Sequence, residues 1–325
     1  MSAPPRPTLS VVVVTRNEAA NVADCLESVL ALCREGPSYE VILVDSNSTD
    51  DSVSLATDYP VTVLRIPDDE LTSPGAGRYV GTTHACGDYI LFVDGDMQLT
   101  DGWLADALEL VRTESVAGVT GHLNDRPADE RADQTAPNEV DALRGVALYD
   151  AAILDDVGGF DPYLQASEDT DVGFRLRAAG YDLYRLPTVV ATHPDTGSLS
   201  DPVRRWRRGY FHGVGQAVRK GASDPGVLAR HVLALRHSFL AAGWLGLGLL
   251  LAARSRRLFL AWTGLSTVAV ACYAARTGTR RTLADGCAYL LTLLGVVLGG
   301  RQPPPPADEY PVDRVELVQA GPDAT

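Results

Sequence analysis

Lysine is almost missing from this chain. Of 28 basic residues only Lys220 is a lysine, and 42 acidic residues leave a formal net charge of −14. A basic footprint for a polyphosphate backbone is therefore lacking, which argues against nucleic acid as a partner. Acidic excess of this kind keeps a surface hydrated and soluble when salt screens charge. The five cysteines (Cys25, Cys33, Cys86, Cys272 and Cys287) form no C-x-x-C pair. Neither a zinc site nor a disulfide framework is expected from them. The opening MSAPPRPTLS has no apolar stretch, so no signal peptide is expected. A glycine-rich phosphate loop is absent too. The first apolar run ends in Thr15-Arg16-Asn17-Glu18, where a nicotinamide-binding unit carries G-x-G-x-x-G, and no P-loop motif occurs. A ligand must then be held by side chains, helped by a metal.

What is present divides sharply near residue 226. From Gly226 to Gly300 the only acid is Asp285, against eight arginines. Three apolar runs lie in this segment, at 238–253, 258–275 and 282–300, separated by arginine clusters. Each approaches the ~20 residues that span a bilayer, and charge is confined to their ends. Membrane helices are expected over a buried helical subdomain. Both loops between the runs are basic, so orientation is not fixed by positive charge alone. The tail, 301–325, opens with four prolines after Gln302 and turns acidic, and the composition predicts disorder.

Before that division, strand and helix signals alternate. Residues 9–14, 41–44, 61–66, 89–93 and 188–192 read as strands, with helices at 17–32, after Thr49, and at 77–86. Such alternation predicts an α/β domain with a mainly parallel central sheet. Ligands bind such sheets outside the carboxyl ends of the strands. Three loops qualify: 15–18, 45–51 and 94–96. In the last, Asp94-Gly95-Asp96 closes a greasy strand with two hard oxygen donors around a compact turn. That arrangement suits Mg²⁺ or Mn²⁺ carrying a diphosphate. Asn47-Ser48-Thr49 is formally a glycosylation sequon but reads better as a turn and helix cap. A second acidic cluster, Glu168-Asp169-Thr170-Asp171, opens a helix. Its mutual repulsion can poise one carboxylate as a base. His193 ends a strand and can complete a metal or diphosphate site.

Four stretches together resemble family 2 glycosyltransferases of the GT-A fold: LSVVVVTRNEAANVADCLESVL, VILVDSNSTDDS, GAGRYVGTTHACGDYILFVDGDMQL and FDPYLQASEDTDVGFRLRAAGYDLY. They occur in the family's order across roughly residues 8 to 200. The resemblance extends to membrane-bound enzymes of dolichol-linked glycan assembly in salt-loving archaea. Two departures are visible. Asp45 is followed by Ser46 rather than a second aspartate, and Tyr79 replaces the asparagine that follows the arginine in the family. The resemblance implies that Asp45 meets the nucleotide base or ribose, with Thr15 and Glu18 lining the same pocket. It implies that Arg78 meets the diphosphate or fixes the neighbouring acids. Asp94 would contact ribose or metal and Asp96 would ligate the metal, joined by His193. Asp169, beside Glu168, would deprotonate the acceptor hydroxyl in an inverting displacement.

Arg204-Arg205-Trp206-Arg207-Arg208 is the strongest basic feature. Processive synthases carry Q-x-x-R-W here, but Pro202 stands at the glutamine position. Arg204, Arg205, Trp206 and Arg208 suit a membrane interface or the phosphate of a polyprenyl (dolichol) acceptor. The expected organisation is a flexible lead at 1–8, a GT-A domain at 9–225 with an interfacial segment at 203–220, membrane helices at 226–300 and the tail. The catalytic domain is expected on the cytoplasmic side of the cell membrane. The expected reaction moves a sugar from a nucleotide-sugar donor to a dolichol-linked saccharide, for protein N-glycosylation. Two alternatives remain: a hexose synthase using the bare lipid phosphate, and an inactive scaffold of a membrane glycan complex.

Overall fold

A computed structural model describes residues 7–34, 36–113, 115–124, 135–193, 202–207 and 209–322, with the Arg204 side chain left aside. The chain forms two compact units, one comprising residues 1–196 and 304–325, the other 197–303. In the first, the elements run β1 (Leu9–Thr15), α1 (Val22–Arg34), β2 (Tyr39–Asp45), α2 (Ser52–Ala56), β3 (Thr62–Arg65), α3 (Pro74–His84), β4 (Tyr89–Asp94), β5 (Gln98–Leu99), α4 (Leu104–Val111), β6 (Val116–Leu123), β7 (Asn138–Glu139), β8 (Ala147–Asp150), α5 (Ala151–Asp156), α6 (Glu168–Ala178) and β9 (Asp182–Thr192). The second unit follows with α7 (Pro202–Arg207), α8 (Tyr210–Gly221), α9 (Pro225–Ala234), α10 (Arg236–Arg254), α11 (Arg256–Thr277) and α12 (Thr279–Gly299). The chain then returns to the first unit with β10 (Glu316–Gln319).

The sheet runs β10-β3-β2-β1-β4-β8-β6-β9-β5, with β7 on β9. β3, β2, β1 and β4 are mutually parallel, as the continuous apolar runs require. The other half is mixed. β8 is antiparallel to both β4 and β6, whereas β9 is parallel to β6. The parallel pairing expected thus runs through β3, β2, β1 and β4 and recurs between β6 and β9, with β8 as the antiparallel strand between them. Apolar cores cover both faces. On one of them α3 lies almost against β1: a Cβ on Gly77 would come 2.4 Å from Val14, and one on Gly81 would come 2.2 Å from Val12. Only hydrogen fits there.

Two boundaries differ from expectation. The tail at 301–325 is not disordered throughout. β10 pairs antiparallel with β3, placing Glu316 opposite Arg65 and Leu317 opposite Leu64. β3 would otherwise be a bare edge with unpaired backbone groups, and Tyr310 enters the core beneath it. The first unit also ends before the basic segment. α7 to α9 group with the helical unit rather than with the sheet domain expected to reach residue 225.

Within the helical unit, α10, α11 and α12 are long and apolar enough to cross a membrane, at 19, 22 and 21 residues. At 1.5 Å per residue each is roughly 30 Å long, a bilayer core's thickness. They start or end a few residues away from 238–253, 258–275 and 282–300. Their apolar side chains point outward: Leu249 is 74 % exposed and Leu240 69 %. α8 and α12 meet through glycines. A Cβ on Gly295 would lie 2.3 Å from the Phe211 carbonyl oxygen, and one on Gly299 2.0 Å from that of His212. Such small-residue seams let backbones approach closely.

Candidate active site

The parallel strands bring the three loops together. Thr15 at the end of β1 stands beside Asp45 at the end of β2, and Val14 beside Asp94 at the end of β4. Asn17 takes a left-handed conformation (φ 57°), which ends β1 sharply and delays α1 to Val22. Its backbone N–H donates to Ser48 Oγ at 2.8 Å, and its side-chain oxygen accepts from the Thr49 N–H at 2.8 Å. The Glu18 N–H donates to Ser52 Oγ at 2.8 Å. The first two loops are thus stitched into one rim.

Asp45 is fully buried. Its carboxylate accepts from the Ser48 N–H at 2.8 Å and from the Ser48 hydroxyl. The Arg65 guanidinium stands 4.0 Å away. In this arrangement Asp45 orders the loop, and contact with a base would require it to leave Ser48. Beside it, loops 15–18 and 45–51 meet a stretch not singled out in the sequence. Arg16 donates to Thr72 Oγ1 at 2.9 Å and to Asp69 at 2.8 Å, and Asn47 donates to Asp69 at 3.1 Å. Arg65 donates to Asn47 Oδ1 at 3.2 Å. Asp69 and Thr72 lie beyond β3 in a stretch with no motif, and only the fold brings them to the loops.

Asp94-Gly95-Asp96 forms a tight turn against β1. The Gly95 N–H donates to the Val14 carbonyl at 2.8 Å, and a Cβ on Gly95 would come 2.9 Å from Thr15. The glycine is thus required by the approach of β1. Asp94 and Asp96 then diverge. Asp96 pairs with His193, Oδ2 to Nε2, at 3.0 Å. Burial first, and then repulsion from Asp94, raise its carboxyl above the usual range. Glu18 is raised by burial, opposed by a 2.7 Å hydrogen bond from Asn21, with Asp96 and Asp50 adding repulsion. The structure thus brings His193, at the end of β9, onto the Asp94–Asp96 turn.

Asp94 turns to Arg78. The guanidinium is buried and meets three carboxylates: Asp94 at 2.8 Å, Asp169 at 3.3 Å and Glu168 at 3.4 Å. One residue thereby joins the β4 loop to the start of α6, sequences more than seventy residues apart. α6 begins abruptly after Ser167, which has φ 67°. Burial, and to a lesser degree Glu168 and Asp94, push the Asp169 carboxyl up to about 7 despite Arg78. Glu168 is raised too, chiefly by burial. The remaining acid of the cluster has another partner: Asp171 is bound by Arg175 at 2.8 Å, and Arg175 donates to the Gly159 carbonyl at 2.6 Å. That pair fixes α6 to the preceding turn.

Of the basic segment, Arg208 lies outside the described residues and only the backbone of Arg204 is described. Arg205 stacks over the Tyr210 ring at 3.7 Å, and Trp206 packs on His212 at 4.9 Å. This cluster belongs to the helical unit.

The sequence that forms these strand ends and the arginine-linked acidic cluster matches a known family. Residues 10–167 match glycosyl transferase family 2. The chain carries a family 2 glycosyltransferase domain. It is 26 % identical over 260 residues to the glycosyltransferase AglE of Haloferax volcanii, covering 75 % of this chain and 82 % of that protein. It is 27 % identical over 228 residues to the pre-mycofactocin glycosyltransferase of Mycobacterium tuberculosis, covering 63 % of this chain but only 46 % of that longer protein. In fold it is similar to the mannosyltransferase PcManGT of Pyrobaculum calidifontis, solved with GDP-Man and Mn²⁺, with a TM-score of 0.65 at 21 % identity over 92 % of this chain and 89 % of that one. The GT-A architecture with three long apolar helices in its C-terminal part is thereby established.

Proposed function

We propose that this glycosyltransferase moves a sugar from a nucleotide-sugar donor to a polyprenyl (dolichol) phosphate-linked acceptor at a membrane, with inversion at the anomeric carbon. The observation that carries this reading is the Arg78 cluster. It places a raised carboxylate, Asp169, next to the strand-end loops that hold the donor in proteins of this architecture.

The residues fit a divalent cation. Among the described residues no three His, Cys, Asp or Glu side chains form a complete metal site. Asp96 and His193 nevertheless offer an oxygen and a nitrogen 3.0 Å apart, and His193 Nδ1 is buried without a hydrogen-bond partner. Two protein donors plus donor phosphates and water make a common Mg²⁺ or Mn²⁺ environment. A cation held by Asp96 and His193 would offset the charge of the departing diphosphate. The chain's own work is then as follows. Asp169, ionised, accepts the acceptor hydroxyl proton. The freed oxygen forms a bond to the anomeric carbon as the bond to the diphosphate breaks, and that electron pair leaves with the diphosphate. Arg78 holds Asp169 and Asp94 in one frame, so base and donor are aligned before reaction. Glu168 adds negative potential that keeps the proton affinity of Asp169 high.

The helical unit supports a lipid-linked acceptor. Three outward-facing apolar helices suit bilayer insertion, and the Arg205–Tyr210–Trp206 cluster suits the headgroup layer, with the catalytic domain on the cytoplasmic side. Purified protein supplied with nucleotide sugars, Mn²⁺ and polyprenyl-phosphate or polyprenyl-linked saccharide acceptors tests the reading. Transfer is expected with the wild type, with product of inverted configuration. Asp96→Ala and Asp169→Asn are each expected to lower it at least a hundredfold. Retention of transfer by either variant would sink the mechanism. Accumulation of unmodified lipid phosphate in cells lacking the protein would shift the acceptor to the bare lipid phosphate.

A further inference from the structure

The chain returns from the helical unit to the sheet domain, and it returns to a particular place. Tyr310 is buried, and its ring meets Tyr79 edge-on at 5.6 Å and Tyr163 edge-on at 5.7 Å. Its hydroxyl donates to the Leu71 carbonyl at 3.0 Å. These two neighbours are not equivalent. Tyr79 follows Arg78 on α3. Tyr163 lies on the 160–167 loop, which runs directly into Glu168 and Asp169. Tyr310 therefore touches both halves of the structure that supports the carboxylate cluster.

Those halves are already pressed together at one side. Ser73 at the start of α3 donates to the Pro162 carbonyl at 2.6 Å, and a Cβ on Gly75 would come 2.1 Å from the Asp161 carbonyl oxygen. The Tyr310 ring adds a second bridge between the same two segments, and Val312 and Val315 pack on the same core. Farther along, the strand is anchored independently. The Gln319 side-chain amide is spent on the segment that leads into β3: its Nε2 donates to the Tyr59 and Val61 carbonyls at 2.8 and 2.9 Å, and the Gly321 N–H donates to Thr62 Oγ1 at 3.1 Å.

We propose that Tyr310 is a positioning residue for the transfer site, bracing α3 against the 160–167 loop so that Arg78 stays registered on Asp169 and Glu168. This rests on the glycosyl-transfer reading above. It goes beyond that reading by giving the C-terminal segment a catalytic consequence. Edge-to-face ring pairs contribute only modestly to stability, whereas a displacement near 1 Å between reacting groups can cost a hundredfold in rate. A brace of this kind shows in kcat before it shows in donor binding, because the donor loops after β1 and β2 are stitched separately.

The test uses the full-length protein. Tyr310→Ala is expected to lower kcat at least tenfold with donor KM within threefold, and Tyr310→Phe, which keeps the ring, to stay within threefold in both. Gln319→Ala weakens the anchor alone and is expected to lower the melting temperature while kcat stays within twofold. Amide exchange gives a readout independent of transfer: Tyr310→Ala is expected to speed exchange across residues 161–171 at least tenfold, and Gln319→Ala to leave it unchanged. If Tyr310→Ala does not fold, Tyr163→Leu removes the same contact from the loop side and must show the same split. The inference is overturned if Tyr310→Ala keeps kcat within twofold, if Gln319→Ala lowers kcat equally, or if exchange at 161–171 does not change. A wild type without transfer activity refutes the functional reading instead, and the exchange result still decides the brace.

Discussion

At the scale of single residues the site turns on Arg78. A buried guanidinium facing three carboxylates is costly to create and more costly to break, because its removal strands negative charge away from water. Arg78→Met is therefore expected to destabilise the sheet domain by about 3–5 kcal/mol, measured by urea denaturation, and to abolish transfer in whatever protein remains folded. A destabilisation below about 1 kcal/mol would mean that the cluster is solvated. Asp169 gives a second prediction. Burial raises its carboxyl to about 7, and a base must be ionised to work. Transfer should then fall about tenfold per pH step below that value and level off above it, and the acid limb should be absent from the residual activity of Asp169→Asn. The sign for stability is opposite. A raised carboxyl favours the folded state while protonated, and this contribution is lost as pH rises through about 7. Asp169→Asn is accordingly expected to melt above the wild type at pH 8.5, with the difference vanishing near pH 4. Part of this site could be read in the sequence because strand ends locate loops: Asp94, Asp96 and His193 were singled out that way, and Asp169 by its acidic cluster at a helix start and by the family resemblance. Asp69 and Thr72 were not, since their proximity depends on a turn without a motif. Asp45 stands at the end of β2, but its burial and its bond to Ser48 follow from local loop geometry that no pattern encodes.

At the scale of elements, β1, β2 and β4 were legible because β-branched residues without polar interruption have one good use, a strand covered on both faces. α1 begins later than its helix-forming residues suggest, because Asn17 adopts the left-handed conformation and its side chain is spent on Thr49. β9 runs back to Asp182, well before 188–192, and the polar residues along it obscure its period. β10 was hidden by its neighbours. Four prolines and several acids set the composition of the tail, while a few apolar residues set its structure. The seam between α8 and α12 was equally invisible, since glycines in an apolar run read only as weak helix. It supports a sharp prediction. A leucine at Gly295 must displace the Phe211 carbonyl, which lies 2.3 Å from the position of its Cβ. Gly295→Leu is expected to cost about 1–3 kcal/mol in detergent-solubilised protein, whereas leucine at Gly264, whose surroundings are open, should be tolerated. Equal melting of the two variants would show that the seam does not hold α8.

At the scale of the whole molecule, charge is partitioned as strongly as hydrophobicity. Residues 226–300 hold eight arginines and one acid, leaving 41 acidic against 20 basic residues in the rest of the chain. Self-repulsion therefore acts on the sheet domain and its flanking segments, not on the apolar helices. Screening shortens from about 10 Å at 0.1 M salt to about 3 Å at 1 M, so most of that repulsion disappears over this range. The ion pairs that Arg78 makes with Glu168 and Asp169 do not follow, because the arginine is buried and these two acids are mostly covered, so salt reaches them poorly. Raising KCl from 0.1 to 2 M is thus expected to raise the melting temperature of the purified protein by several degrees while the acid limb set by Asp169 stays in place. The two effects separate because they arise at different depths. Surface acids act through solvent, and Asp169 acts through desolvation. A melting temperature that falls with salt would place the dominant electrostatics in exposed ion pairs such as Arg16–Asp69 instead. An acid limb that moves with salt by more than about half a pH step would mean that Asp169 is reached by solvent ions, and would remove the ground for treating it as the buried base.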